Sequence, residues 1–238
     1  MKYVITLLTF SACIGLGLLG WHFGKVVYLI MQTEPYTQVG TGQTLLVLGD
    51  STGYGTGVFD ARDSIAGRIG QDYPNLTIMN DSTNGRTIGE LVPVVASLTG
   101  RYDYILLQIG GNDVLQLRDP DQVGVELDGI FDTLRQHTDH IIMMSSGNVG
   151  GARRFTDKRA KRMTEQTLIL REVFQRTALE NGVVYVDLFV DPAQDPFILD
   201  TNRYQAIDGL HPSGAGYGLW YEVLKPVLAT IVVDDKPQ

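Results

Sequence analysis

The stretch TLLVLGDST (residues 44–52) decides the fold class of this chain. It begins with a short apolar run, Thr44–Asp50, that is rich in leucine and ends in a glycine-containing turn. Such a run is typical of a parallel strand that is buried on both faces. Four further runs share this character, and they are Leu76–Asn80, Tyr102–Asp113, His140–Asn148 and Val183–Phe189.

Stretches with apolar residues at helical spacing lie between the predicted strands. They are Ile65–Tyr73, Thr87–Leu98, Val123–His137, Lys161–Asn181 and Gly214–Ile231. This alternation predicts an α/β fold, namely a doubly wound, three-layer α/β/α sandwich with about five parallel strands. Sheets of this kind bind ligands at the carboxyl ends of their strands.

Small and polar residues follow the predicted strands at those ends. Because the carboxyl ends of parallel strands meet at one edge of a sheet, we expect these residues to form one site. The segments are Gly49-Asp50-Ser51, Asn84-Gly85, Gly110-Gly111-Asn112-Asp113, Ser145-Ser146-Gly147-Asn148 and, before the last predicted helix, Asp208-Gly209-Leu210-His211-Pro212.

Ser51, His211 and Asp208 are the candidate catalytic residues. A serine hydroxyl is a weak nucleophile and needs an adjacent base. Of the four histidines, His22 lies in the apolar N-terminal segment and His137 and His140 flank a helix–strand turn, whereas His211 stands in a predicted loop three residues after Asp208. A carboxylate at that spacing can hold one ring nitrogen and stabilise the imidazolium. The alternative is that Asp208-Gly209 only makes a turn and His211 caps the last helix.

Three candidate donors could stabilise an oxyanion. They are the backbone N–H of Ser51, the backbone N–H of Gly85, which has no Cβ in the way, and the neutral side-chain amide of Asn112. Taken alone, the segment around Asn112 is also compatible with a plain turn, since glycine and asparagine are common there.

Four motifs carry a family resemblance in chain order. LVLGDST contains the nucleophile block, MNDSTNGRT ends its N-x-x-x-x-G stretch on Gly85, IGGND places Asn112 in G-x-N-D, and DGLHP holds the acid and the base. Through these four blocks the domain resembles the SGNH hydrolases, also called the GDSL family, over nearly all its length. Its bacterial lysophospholipase, thioesterase and arylesterase branch is the most similar, with a further Asn-x-Gly at Asn148-Val149-Gly150.

The resemblance implies a flavodoxin-like SGNH hydrolase fold and a serine esterase that works through an acyl-serine. The expected substrate is a short-chain acyl ester or a lysophospholipid, with a carbohydrate O-acetylesterase or a thioesterase as alternatives. No cofactor and no metal are expected. Two departures, Thr52 in place of the usual leucine and Arg86 where that branch often has an acidic residue, are expected to alter substrate contacts. We expect Asp50, Thr52 and Asn148 to contact substrate.

Two other interpretations start from single motifs, and a third concerns the fold as a whole. Gly49–Gly53 matches the G-x-S-x-G elbow of α/β-hydrolases, but no earlier loop supplies oxyanion donors, and the acid and base share one loop. GYGTGV lacks the third glycine of a dinucleotide loop, because position 58 is valine. A catalytically silent module that binds glycans on the same fold is the alternative from another class.

The N-terminal region predicts a membrane anchor or signal segment over residues 1–31. No charged residue occurs from Tyr3 to Gly24, which is long enough for a membrane-spanning helix. Residues 32–43 are predicted to be a polar linker and residues 44–238 the catalytic domain. Lys2 and the terminal amine precede this stretch, and Lys25 and then Glu34 follow it, which favours a single-pass protein of the bacterial cytoplasmic membrane with its domain outside. A secreted or periplasmic protein, released by signal cleavage, is the alternative.

Composition limits the classes of partner. The formal net charge of −8 argues against nucleic acid. The only cysteine, Cys13, lies in the apolar segment, so an intramolecular disulfide and a cysteine-based zinc site are excluded. No obligate protein partner is evident, and the expected partners are a small ester, lipid or acylated glycan and the membrane. One basic cluster either forms a solvated helix face or contacts an anionic lipid or substrate; it comprises Arg153, Arg154, Lys158, Arg159, Lys161 and Arg162.

Overall fold

The computed structural model describes Gly24 and residues 34–232. The predicted anchor at residues 1–31 lies outside the described residues, apart from Gly24. In the described part of the chain, no helix is both long and apolar enough to cross a bilayer.

Five parallel strands form one sheet in the order β2-β1-β3-β4-β5. This order is the flavodoxin-like one, and it confirms the predicted sheet. The strands are β1 (Thr44–Gly49), β2 (Thr77–Ser82), β3 (Tyr104–Gln108), β4 (Ile141–Met144) and β5 (Val184–Val186). We call the side on which all five strands end the carboxyl edge.

Helices cover both faces of the sheet and complete the predicted three layers. The described helices are α1 (Ser51–Tyr54), α2 (Ile65–Asp72), α3 (Ile88–Ala96), α4 (Gly111–Leu115), α5 (Pro120–Leu134), α6 (Asp157–Glu180), α7 (Pro196–Leu199), α8 (Thr201–Tyr204) and α9 (Gly214–Ile231). Side chains of α3, α5 and α6 pack with alternate strand residues such as Leu46 and Leu48. The helices α2 and α9 pack with the intervening ones, such as Leu45 and Val47. Two apolar cores therefore enclose the sheet.

Element ends differ from the predictions where local chemistry overrides apolar pattern. The third strand ends at Gln108 rather than Asp113, because Gly110 adopts a left-handed conformation with φ of 118° and α4 starts after it. Helix α6 begins at Asp157, four residues before the predicted Lys161. Its first turns are rich in basic residues, which hide the apolar period.

The predicted linker 32–43 is attached to the domain in its described part. Gln38 pairs with Ile78 of β2 in an antiparallel bridge, through N–H···O bonds of 3.0 and 2.8 Å. The Gln38 side chain also donates to the carbonyl oxygens of Tyr73, Pro74 and Leu76. Backbone hydrogen bonding to the open side of β2 thus makes a polar sequence part of the domain.

Candidate active site

The turn between β1 and α1 presents Ser51 at the carboxyl edge. Asp50 caps α1, and its Oδ1 accepts hydrogen bonds from the Thr52 N–H at 2.8 Å and the Thr52 hydroxyl at 2.7 Å. Burial raises the pKa of the Asp50 carboxyl, against the lowering effect of the bonds from Thr52. Asp50 is 1% exposed and Thr52 8%, and both residues line the cavity at Ser51.

His211 and Asp208 lie beside Ser51 at hydrogen-bonding distance. The Ser51 Oγ is 2.9 Å from Nε2 of His211, and Nδ1 of His211 is 2.5 Å from Oδ2 of Asp208. The other oxygen of Asp208 accepts the backbone N–H groups of Leu210 and His211. The structure therefore brings the three predicted residues into one chain of hydrogen bonds.

The carboxylate of Asp208 is stabilised as an anion in this arrangement. Burial by itself raises its pKa, but the hydrogen bond and charge of His211, with the two backbone N–H groups, lower that pKa to about 2. An ionised Asp208 fixes the His211 ring and leaves Nε2 facing the serine hydroxyl.

A glycine lets the loop of Asp208 and His211 approach α1. Gly57 has φ of 107°, and a Cβ there would lie 2.3 Å from the Pro212 carbonyl oxygen and 3.0 Å from the Cβ of His211. A larger residue would therefore push the His211 loop away from Ser51.

The two other predicted oxyanion donors lie on the same cavity as Ser51. Gly85 has φ of 85°, and a Cβ there would meet no atom within 4 Å, so its backbone is open to the cavity. Asn112 lines the cavity and donates one Nδ2 hydrogen to the Arg86 carbonyl oxygen at 3.1 Å. That bond fixes the amide and leaves its second N–H for another acceptor.

Asp113 supports both donor loops, a role that the sequence analysis did not assign. It is 0% exposed, and its carboxylate accepts the Ile88 N–H at the start of α3 and the Arg118 guanidinium at 3.1 Å. Arg118 also binds Glu126. Burial raises the pKa of Asp113 to about 6, against the bonds from Ile88 and Arg118. The sequence signal for this role of Asp113 was its position directly after Asn112 in the G-x-N-D motif.

Asn148 and Arg86 have different environments from each other. Asn148 lines the cavity, where its Oδ1 accepts Gly150 N–H and the Thr164 hydroxyl, and its buried Nδ2 has no partner among the described residues. Arg86 was expected to alter substrate contacts, but its side chain is 11% exposed and bonds to Asp81 and Thr83 at the end of β2. Arg86 is not among the residues that line the cavity.

The cavity at Ser51 has a volume of about 970 Å³, and its lining includes residues of several elements besides Ser51, Asp208 and His211. Another part of its lining, which we call the apolar wall, comes from the loop after β5 and from α7 and α9. Sequence reasoning did not find it, because these elements lie far from Ser51 in the chain and no motif marks them. The apolar residues of that wall are Leu188, Val190, Pro196, Phe197, Leu219, Trp220 and Val223.

In the described part of the chain, no group of three or more His, Cys, Asp or Glu side chains is placed to hold a metal ion.

A family model described as GDSL-like lipase/acylhydrolase matches residues 47–219. The chain belongs to this family. It is therefore a hydrolase of ester bonds, and the resemblance found in its motifs is confirmed. No curated protein matches the chain.

Solved structures of other proteins share the fold at low sequence identity. TesA is 20% identical with a TM-score of 0.61, covering 80% of this chain and 100% of TesA. A lipolytic G-D-S-L protein from Veillonella parvula is 19% identical with a TM-score of 0.62, covering 79% and 99%. The acetylxylan esterase Axe2 from Geobacillus stearothermophilus is 22% identical with a TM-score of 0.53, covering 83% and 97%. These likenesses establish the architecture.

Proposed function

We propose that this GDSL hydrolase is a serine esterase whose nucleophile is Ser51. The observation that carries the proposal is the chain of hydrogen bonds from Ser51 through His211 to Asp208, at the wall of a large cavity. A silent glycan-binding module would not need a base held against a serine in this way. The geometry thus favours catalysis over binding alone.

The proposed reaction proceeds in two steps. His211 accepts the Ser51 proton as Oγ attacks the ester carbonyl, and the Ser51 N–H, the Gly85 N–H and the Asn112 amide bind the oxyanion. The tetrahedral intermediate collapses to an acyl-serine, and the alcohol leaves with a proton from His211. Water then attacks the acyl group, again with His211 as base, and releases the acid.

Substitution of Ser51 tests this proposal. We expect Ser51→Ala to hydrolyse 4-nitrophenyl butyrate at the background rate while its circular dichroism is unchanged. Ser146→Ala is the matched control, because Ser146 also lines the cavity and its hydroxyl lies outside the triad. Activity retained by Ser51→Ala, or lost equally in both variants, would refute the assignment.

The cavity supports an ester with a substantial apolar group, such as a lysophospholipid. About 970 Å³ is at the upper end of pockets that bury a whole drug-sized ligand, and the apolar wall forms part of the lining. An acetyl group needs far less space. TesA and the acetylxylan esterase Axe2 have the same fold, so thioesters and O-acetyl sugars stay as alternatives. A series of 4-nitrophenyl esters from acetyl to palmitoyl, with a matched thioester and an acetylated xylooligosaccharide, separates the three.

We further propose that residues 1–31 attach the domain to the outer side of the bacterial cytoplasmic membrane. The uncharged stretch from Tyr3 to Gly24 supports this placement. Added protease should then cleave the domain on spheroplasts but leave the intact segment in the membrane fraction. Release of the domain without protease would instead indicate a cleaved signal and a secreted or periplasmic protein.

A further inference from the structure

The basic cluster lies at the carboxyl edge, beside the mouth of the cavity. Arg154 lines the cavity, and the Arg153 side chain lies against Gly209 in the loop that carries Asp208 and His211. The other four members fall in the first two turns of α6, which starts at this edge. All six side chains are exposed.

None of the six cations forms an ion pair with a carboxylate of the described residues. Arg153 donates to the neutral oxygens of Asn202 and Ala206, and Arg159 stacks over Phe155. The chain carries a formal net charge of −8, yet residues 153–162 hold six cations against a single carboxylate, that of Asp157. The start of α6 also bears the positive end of the helix dipole, which disfavours cations there. An anion from outside the chain would relieve both effects.

The N-terminal region reaches the domain at the same edge. Because Gln38 pairs antiparallel to β2, the residues before it run towards the carboxyl end of that strand. Burial, and after it the charge of Glu34, raises the pKa of Tyr54, the last residue of α1, in keeping with this direction of the chain. Two residues separate Met31 from Glu34, and an extended chain spans about 10 Å over that distance.

Exposed apolar side chains also lie at the carboxyl edge around the mouth of the cavity, which we call the rim. Phe59 is 74% exposed and lies two residues after Gly57, and the His211 loop packs against Gly57. Leu199 is 67% exposed at the end of α7, whose first residues line the cavity. Cations together with protruding apolar side chains match the polar and acyl layers of an anionic bilayer.

We propose that the carboxyl edge docks on an anionic lipid bilayer through the basic cluster, with the cavity mouth opening onto the bilayer surface. The proposal rests on the proposed membrane attachment and on the proposed ester hydrolysis, for which the bilayer then supplies the substrate. Attachment through residues 1–31 alone holds the domain near the membrane, and the basic cluster sets which side of it faces the lipid.

Quenching of a fluorophore on the rim tests this orientation. The full chain, carrying Cys13→Ser and a fluorophore on Leu199→Cys, is reconstituted into vesicles that contain lipids with nitroxide headgroups. The vesicles are either phosphatidylcholine alone or contain about one third phosphatidylglycerol. We expect about twofold or greater quenching in the anionic vesicles, reduced by raising NaCl from ~0.1 M to ~0.5 M, since salt screens exposed charges.

Matched substitutions on α6 identify the cause. The combined variant Lys158→Gln, Lys161→Gln and Arg162→Gln should quench in anionic vesicles only as much as in neutral ones. Arg176→Gln is the control, because Arg176 is exposed on the same helix about 20 Å further from the rim and should change nothing. Equal quenching in both vesicle types, or no effect of the combined variant, would overturn the proposal. Soluble polyphosphate that changes the quenching equally in both vesicle types would also overturn it, because the partner of the basic cluster would then be a soluble polyanion.

Hydrolysis of 4-nitrophenyl butyrate in detergent solution separates this proposal from the proposed function. None of the substituted cations in the combined variant lines the cavity, so its rate should equal that of the parent chain. A failure of the esterase proposal would show in Ser51→Ala and leave the quenching pattern unchanged. A failure of the docking proposal would leave hydrolysis dependent on Ser51.

Discussion

The Ser51 hydroxyl lies 2.9 Å from Nε2 of His211, although the two residues are 160 positions apart in the chain. The parallel sheet produces this contact. It places the turn after β1 and the loop before α9 at one edge, and Gly57 allows close approach between them. The predictions below follow from that contact and from the groups that hold it.

Replacing Asp208 with asparagine should reduce kcat by about 10²–10⁴ with little loss of folded structure, because the neutral amide no longer fixes the ring tautomer or stabilises the imidazolium. Steady-state kinetics on 4-nitrophenyl butyrate measures the effect. Asp139→Asn is the control, since Asp139 is exposed and pairs with Arg101 away from the cavity. A kcat for Asp208→Asn within about twofold of the Asp139→Asn value would show that the carboxylate is not needed.

Replacing Asn112 with alanine should lower kcat by about 10²–10³, because an oxyanion donor acts mainly on the transition state. We expect KM to change little. The measurement is a full kcat and KM determination, with circular dichroism to check the fold. A change in KM alone would assign Asn112 to substrate binding and count against an oxyanion role.

Replacing Asp113 with alanine should lower the free energy of unfolding by about 3–5 kcal/mol, because it leaves the Ile88 N–H and the charge of Arg118 without their partner. Urea unfolding followed by circular dichroism measures the change. The exposed Asp139→Ala should stay within about 0.5 kcal/mol of the parent chain. Equal stabilities of the two variants would mean that the Asp113 pair contributes nothing to holding the donor loops.

Acid should remove the stability that Asp208 contributes. Its pKa is about 2 in the folded chain and near 3.8 when unfolded, so the unfolded state binds the proton first. The contribution, at most about 2 kcal/mol, is present above pH 4 and is lost as the pH falls from about 4 to 2. Urea unfolding of the parent and of Asp208→Asn at a series of pH values should show their difference shrinking over that range. A difference that is constant with pH would contradict the lowered pKa.

Filling the cavity at its apolar wall should select against long acyl chains. Val223 belongs to that wall on α9, and Val223→Trp should lower kcat/KM for a decanoyl ester by about tenfold or more, with acetyl ester hydrolysis nearly unchanged. Val125→Trp is the control, since Val125 is 75% exposed on α5 and does not line the cavity. Equal effects on both esters would show that the acyl group does not reach Val223.

The sequence predicts the sheet, its helices and the triad because each depends on local information. Thr44–Asp50 has the pattern of a buried strand, and Ser51, Asp208 and His211 stand in motifs next to turns. The apolar wall of the cavity needs Phe197 and Trp220 to meet through tertiary packing, which no motif encodes. The attachment of Gln38 to β2 uses backbone hydrogen bonds, to which side-chain polarity is a poor guide. The pairing of Asp113 with Arg118 was likewise hidden, because an acidic residue after a glycine turn is common on a surface.

Covalent labelling tests the central claim most directly. The folded full chain is treated with a fluorophosphonate, digested, and its peptides are analysed by mass spectrometry. We predict one adduct per chain, on Ser51, its slower formation when Asp208 and His211 are uncoupled by Asp208→Asn, and its absence when the chain is unfolded in urea before treatment. An adduct on another serine, or the absence of any adduct from a chain that hydrolyses esters, would contradict the assignment of Ser51 as the nucleophile.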